Sequence, residues 1–179
     1  MKKRLFIGIS LPDYIKQSLS VINLKQPGFK PVAYNNIHLT LKFIGDADEP
    51  LAKEITSALS TITTPPFKLS IQSVGRFPPR GKPQVFWAGL GDAHPALFQL
   101  QAQIEESLQP LGIGPEKRRF HPHITLARCR NVSAKKAAVL TDKHRELTSP
   151  QFEVKSYKLY RSILKPEGAL YHIEKEFLF

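Results

Sequence analysis

Two tetrapeptides, His38-Leu39-Thr40-Leu41 and His123-Ile124-Thr125-Leu126, lie 85 positions apart and constrain this chain more than any other feature. The same offset pairs Ile55 with Leu140, Phe67 with Phe152, Leu69 with Val154 and Arg76 with Arg161, with no insertion or deletion over that stretch. Six histidines and eight threonines in 179 residues make chance His-x-Thr triplets rarer than one per chain, so two in register point to an internal repeat. Each tetrapeptide sits in a run, Ile37 to Gly45 and Phe120 to Cys129, whose alternate positions are apolar, the pattern of a half-buried strand. Residues i and i+2 of a strand share a face about 7 Å apart. Each half should therefore offer one imidazole and one hydroxyl to whatever lies above its strand.

The flanking pattern repeats as well. Arg4 to Ser10 alternates as a strand, and Pro12-Asp13 opens a helix with Ile15, Leu19 and Ile22 on one face, stopped by Pro27-Gly28. After the first motif strand, Asp48 and Pro50 start a helix whose stripe is Leu51, Ile55, Leu59 and Ile62. Strands are expected at Phe67 to Ile71 and at Val85 to Leu90, the latter carrying the only tryptophan, Trp87. Pro95 opens the longest helix, with Leu97, Leu100, Ile104 and Leu108 inward and Pro110 and Gly112 closing it. The second motif strand follows, then a helix from Ser133 to about Asp142 and strands at Phe152 to Arg161 and Leu170 to Phe179, joined by a turn at Pro166-Glu167-Gly168. Strand, helix, loop, motif strand is thus written twice, with no linker between the copies. The expected fold is α+β and bilobal: two pseudo-symmetric halves with antiparallel sheets flanking a central cleft, residues 1–179 forming one two-lobed domain.

A formal net charge of +11, from 26 basic and 15 acidic side chains, asks for a polyanionic partner, nucleic acid or nucleotide. The basic residues gather near the motifs, as Arg76, Arg80 and Lys82, as Lys117, Arg118 and Arg119, and as Arg128 and Arg130. One cysteine, Cys129, excludes an internal disulfide and a Cys-based zinc finger and suits a reducing compartment. Met1 to Arg4 is basic, but the apolar stretch behind it is too short for a signal peptide. No apolar run approaches the roughly 18 residues of a membrane span. The expectation is a soluble, cytoplasmic monomer.

Metal chemistry fits the motifs poorly, because neither has the Asp, Glu or Cys that completes such sites. A Ser or Thr nucleophile fits poorly too, since a hydroxyl and an imidazole on one strand face point outward in parallel. Two facing strands suit a different reaction. One imidazole can act as general base and the other as general acid across a group held between them, and His serves either role near neutral pH. The threonine hydroxyls can donate to non-bridging oxygens where charge grows. With a basic surface, that describes in-line attack on a phosphodiester without a metal or cofactor. His121 shares a face with His123 and reads as a structural neighbour; His94, His144 and His172 have no spacing argument. Arg128 has the wrong strand parity for a regular strand and reaches the site only through a bulge or the strand's end, and Trp87 and Tyr171 read as core or rim.

His38-Leu39-Thr40-Leu41-Lys42-Phe43-Ile44-Gly45 and Phe120-His121-Pro122-His123-Ile124-Thr125-Leu126-Ala127-Arg128 resemble the paired signatures of the RNA 2′,3′-cyclic phosphodiesterases, also called 2′-5′ RNA ligases, of the two-histidine phosphoesterases. The likeness extends over the Phe77-Pro78 to Trp87 and Arg161-Ser162 to Tyr171 segments; it departs at Lys30 to Tyr34, where relatives often carry a tryptophan. The resemblance implies metal-independent opening of an RNA 2′,3′-cyclic phosphate to a 2′-phosphate. By position it makes His38 the proton donor and His123 the acceptor, puts Thr40 and Thr125 on the phosphate, and has Arg128 contact the nucleotide. Two alternatives stand beside it: 2′-5′ ligation of RNA ends at the same site, and a non-catalytic RNA-binding module.

Overall fold

The computed structural model describes residues 2–166 and 168–179; Glu167, within the turn expected before the last strand, lies outside the described residues. The described residues form ten strands and four α-helices, a mixed fold with antiparallel sheets. The strands are β1 (Lys3–Ser10), β2 (Phe29–Pro31), β3 (His38–Ala47), β4 (Phe67–Leu69), β5 (Val74–Phe77), β6 (Val85–Gly89), β7 (His123–Cys129), β8 (Phe152–Val154), β9 (Ser156–Lys165) and β10 (Gly168–Leu178). The helices are α1 (Asp13–Ser18), α2 (Glu49–Leu59), α3 (Pro95–Leu108) and α4 (Ala134–Lys143).

Their starts follow from local chemistry. The Asp48 carboxylate accepts the Leu51 N–H at 3.0 Å and the Ser133 hydroxyl accepts the Lys136 N–H at 3.1 Å, each satisfying a donor left over in a first helical turn. Before Pro95, His94 does the same, its Nδ1 accepting the Ala96 N–H at 3.1 Å. The helices lay their apolar stripes, Ile55 and Leu59, Leu97, Leu100, Ile104 and Leu108, Ala137 and Leu140, against one face of the large sheet, meeting Leu5, Ile7, Ile9, Leu39, Phe86 and Ile124. Each large side chain buried there contributes about 1.5–3 kcal/mol. The opposite face is left to His38, Thr40, His123 and Thr125, all only partly buried.

Strand order in the large sheet is β10-β9-β1-β3-β7-β6-β5, with β2 added alongside β7. β3 and β7 meet at one residue pair, Leu39 opposite Ile124, and beyond it they splay. β4 and β8 form a separate two-stranded sheet centred on Lys68 opposite Glu153. In both antiparallel pairs the central partners are positions n and n+85, which places a pseudo-twofold axis through them. The halves also trade strands: β5 of the first pairs with β6 of the second, and β9 of the second pairs with β1 of the first.

Some elements differ from expectation. The first helix stops at Ser18, whose hydroxyl bonds back to the Ile15 carbonyl at 2.7 Å, and tightens into a 3₁₀ turn at Leu19–Val21 that still buries Ile22. The strand read as Phe152 to Arg161 is two, because the buried positions change parity across Lys155: Phe152 and Val154 face the small sheet's core side and Tyr157 and Leu159 that of the large sheet. β7 begins at His123 and not at Phe120, since Pro122 has no N–H to give a ladder. The short strands β2 and β5 carry too few alternating residues to register as sequence patterns.

Candidate active site

Each motif strand fixes its imidazole in the same way. His38 Nδ1–H donates to the Asn36 carbonyl at 2.6 Å, and His123 Nδ1–H donates to the His121 carbonyl at 2.7 Å. A carbonyl only accepts, so the proton sits on Nδ1 in both rings and Nε2 is left for chemistry. Asn36 and His121 are again n and n+85, so the device is symmetric. In the first half, His38 Nε2 accepts from the Thr40 hydroxyl at 2.9 Å. Around the Leu39–Ile124 pair, His38 and His123 occupy diagonal positions on one face, near enough for positive charge on His123 to act on the His38 ring.

Aromatic side chains wall both rings. Phe6 (4.9 Å between ring centroids), Tyr171 (5.3 Å, edge-on) and Tyr160 (5.9 Å) surround His38. Phe77 (5.0 Å, edge-on), Trp87 and His121 (both 6.3 Å) surround His123. Burial behind these rings pushes both imidazole pKa values below the usual range; the carbonyl bonds oppose this, and neighbouring positive charge, from His123 on His38 and from His121 and Arg128 on His123, adds to it. Two glycines make the packing possible. A Cβ on Gly8, which lies opposite Thr40, would come 2.7 Å from the Leu39 carbonyl oxygen and 3.2 Å from the His38 ring, and one on Gly75 would collide with the Trp87 indole. No side chain at position 8 leaves His38 where it is.

Arg128 reaches the cleft through a bulge. Along β6–β7 the register passes from Phe86 opposite Ala127 to Trp87 opposite Thr125, leaving Leu126 as an extra residue. Along β1–β3 it passes from Ile7 opposite Lys42 to Gly8 opposite Thr40, leaving Leu41 extra, again 85 positions earlier. Each bulge flips the strand's parity, so Arg128 joins the face of His123 and Thr125, and Phe43 joins that of His38 and Thr40. Burial marks each bulge as a doublet, Leu126-Ala127 and Leu41-Lys42, at which strict alternation stops. Arg128 lines a cavity of about 810 Å³ with Arg4, Lys30, Phe43, Lys165 and Tyr171. Tyr171, whose ring meets that of His38 edge-on, also lines this cavity.

The remaining basic residues divide. Arg119 lines a second hollow of about 510 Å³, and Lys117 and Arg118 a third of about 780 Å³ beside Lys42 and Phe43. Arg76 is structural: its guanidinium donates to the Ala134 carbonyl at the start of α4, 2.5 Å away. Lys42, unremarked in the sequence, is buried and paired with Glu105 at 2.7 Å, and also donates to the Gly114 carbonyl at 2.7 Å. Among the described residues, no cluster of three or more His, Cys, Asp or Glu is arranged to hold a metal ion, and no helix is long and apolar enough to cross a membrane.

Comparison with known proteins agrees with this geometry. An RNA 2′,3′-cyclic phosphodiesterase of Methanocaldococcus jannaschii is 33% identical over 97% of this chain and 99% of its own length. The protein of the same description in Aeropyrum pernix is 37% identical over 79% of this chain and 81% of its own. The crystal structure of Escherichia coli LigT complexed with 3′-AMP superposes with a TM-score of 0.81 at 26% identity, covering 100% of this chain and 99% of that one. Residues 12–164 match the family model described as the 2′-5′ RNA ligase superfamily, and the chain belongs to that superfamily.

Proposed function

We propose that this protein hydrolyses RNA 2′,3′-cyclic phosphate ends to 2′-phosphomonoesters by metal-independent general acid/base catalysis between His38 and His123. The observation that carries the reading is the pair of imidazoles on one sheet face, each held by the same Nδ1–H to carbonyl bond, with Nε2 as the remaining ring nitrogen. The descriptions of the relatives as RNA 2′,3′-cyclic phosphodiesterases support the substrate. In this mechanism His123 takes the proton of an attacking water, the P–O3′ bond breaks in line with it, and His38 gives its proton to O3′. With His38 protonated as the acid, its Nε2 no longer accepts from Thr40, so Thr40 and Thr125 are both free to donate to the non-bridging oxygens, and Arg128 holds the nucleotide's charge. Both imidazoles come from one chain, which supports a monomer as the active unit. The pairing of positions n and n+85 supports a single domain built from an internal repeat. The one cysteine, half-buried Cys129, is in keeping with a cytoplasmic place of work.

The test is an oligoribonucleotide ending in a 2′,3′-cyclic phosphate, with products read by mass and by phosphorus NMR. A 2′-phosphate with a free 3′-hydroxyl, formed equally with EDTA present, is expected. A 3′-phosphate product reverses the two histidines' roles, and EDTA inhibition overturns the metal-independent route.

The pH dependence follows from burial. Catalysis needs one imidazole protonated and its partner neutral, so kcat/KM is a bell bounded by the free enzyme's two apparent pKa values, which belong to the coupled pair. Both rings are pushed below the ordinary value of about 6.5. The maximum of kcat/KM is therefore expected on the acid side of about pH 6.5. A maximum at pH 8 or above contradicts the burial argument.

A further inference from the structure

The mechanism above uses the carbonyl of His121 and leaves its imidazole idle. That ring lies 6.3 Å from the ring of His123, tilted by 33°. The two share one bed: His121 meets the Trp87 indole at 5.3 Å and Phe77 at 5.4 Å, both edge-on, and the same side chains wall His123. His121 is exposed, whereas His123 is partly buried. Phe77 and Trp87 bring no charge, and no carboxylate among the described residues pairs with either imidazole. The other cations nearby are Arg128, which acts on His123, and Arg119, which lines the same hollow as His121.

The matching place in the first half carries no charge. Asn36, 85 positions earlier, gives its carbonyl to His38 in the same way, but its side-chain amide donates to the Ala169 carbonyl at 2.6 Å. The cations that act on His38 are His123 and Lys16, neither of them at this position. Two imidazolium rings as close as those of His121 and His123 repel, so a proton on one disfavours a proton on the other. Burial already disfavours charge on His123, and a proton on His121, with the Arg128 guanidinium, pushes its pKa further down. His123 is the ring that stays neutral, the form a base needs.

We infer that His121 is a positioning residue acting through His123: its imidazolium charge holds the reaction's base unprotonated in acid, while the neutral Asn36 at the matching place leaves His38 free to carry the acid's proton. The inference rests on the functional reading above, which makes His123 the base. Its consequence is visible in the rate. The acid flank of kcat/KM reaches lower pH than it would without His121, and it is drawn out, because the two imidazoles titrate against each other.

The experiment compares the full chain with His121→Asn, which puts the first half's residue at the matching place, and with His121→Lys, which replaces a titrating charge by a lasting one. Both variants keep the backbone carbonyl and both lose the ring. Hydrolysis of an oligoribonucleotide with a 2′,3′-cyclic phosphate end is followed against pH, and the titration of His123 is followed by NMR of its ring C–H groups. In His121→Asn the His123 midpoint should rise and the acid flank should move up with it. On that flank the rate, relative to each protein's own maximum, should be about threefold or more below that of the wild type, the scale for two unit charges at this separation in a largely aqueous setting. His121→Lys should keep the flank below that of His121→Asn. A role confined to packing gives both variants one profile; equal profiles, or an unmoved His123 midpoint in His121→Asn, overturn the inference. Movement of the alkaline flank in place of the acid one overturns it too, since His123 is then the acid. A wild type that cleaves nothing at any pH overturns the functional reading, while the NMR midpoints decide the coupling of the rings independently, so the two failures are told apart.

Discussion

His38→Ala and His123→Ala are each expected to lower turnover by about 10²–10⁴, the usual worth of one positioned acid or base. The double substitution is expected to be little slower than either single one, because the two rings act on one proton-transfer sequence and removing either disables it. RNA affinity should change far less, since Arg4, Lys30, Arg128 and Lys165 around the larger cavity supply the attraction for phosphate. Single-turnover rates at saturating substrate, paired with equilibrium binding at fixed salt, separate the two effects. Turnover near that of the wild type in either single variant means the chemistry is elsewhere; a parallel loss of binding and rate means the imidazoles only hold substrate.

The second large effect is on stability and comes from Lys42. Its side chain is 2% exposed and faces Glu105, itself 14% exposed. Lys42→Met strands a mostly buried carboxylate and frees the Gly114 carbonyl, which is expected to cost about 3 kcal/mol, the low end for breaking a buried pair because Glu105 keeps some access to water. For a chain of this size that is a fall in Tm of about 6–12 °C. Lys42→Met with Glu105→Leu should recover most of the loss, since an apolar replacement of both partners removes the stranded charge. Thermal unfolding of the two singles and the double gives the coupling directly. Equal Tm values for wild type and Lys42→Met show that the pair is dispensable to the fold.

The parts of this molecule that were legible in the sequence are those set by short-range periodicity. The two motif strands, the helix starts at Asp48, Pro95 and Ser133, and the stripe of α3 follow from alternation, capping and 3.6-residue spacing, which any window of the chain contains. The offset of 85 announced His38 and His123 together, and Leu39 opposite Ile124 is that offset expressed as a hydrogen-bonded pair. What was not legible depends on partners distant in the chain. Phe6 and Tyr160 gave no signal, because their place beside His38 arises from β9 crossing into the first half's sheet to lie against β1. Arg128 was left on the wrong face for want of a bulge, which only the register with β6 reveals. Lys42 drew no notice in the sequence, because its partner Glu105 comes from α3, 63 positions away.

Phe43 and Arg128 hold equivalent places on their strands, one aromatic and 63% exposed, the other cationic. A perfectly twofold pair of imidazoles would accept a cyclic phosphate in either of two equivalent orientations turned by half a revolution, with acid and base exchanged between the rings. Machinery with a twofold axis is indifferent to the direction of its substrate. With an arginine at one place and a ring at the other, the two orientations cease to be degenerate: the anion is drawn to one end and a base face to the other. On the proposed mechanism, that single inequality between two otherwise matched strands gives the ribose a heading, and with it one ring fixed as acid and the other as base.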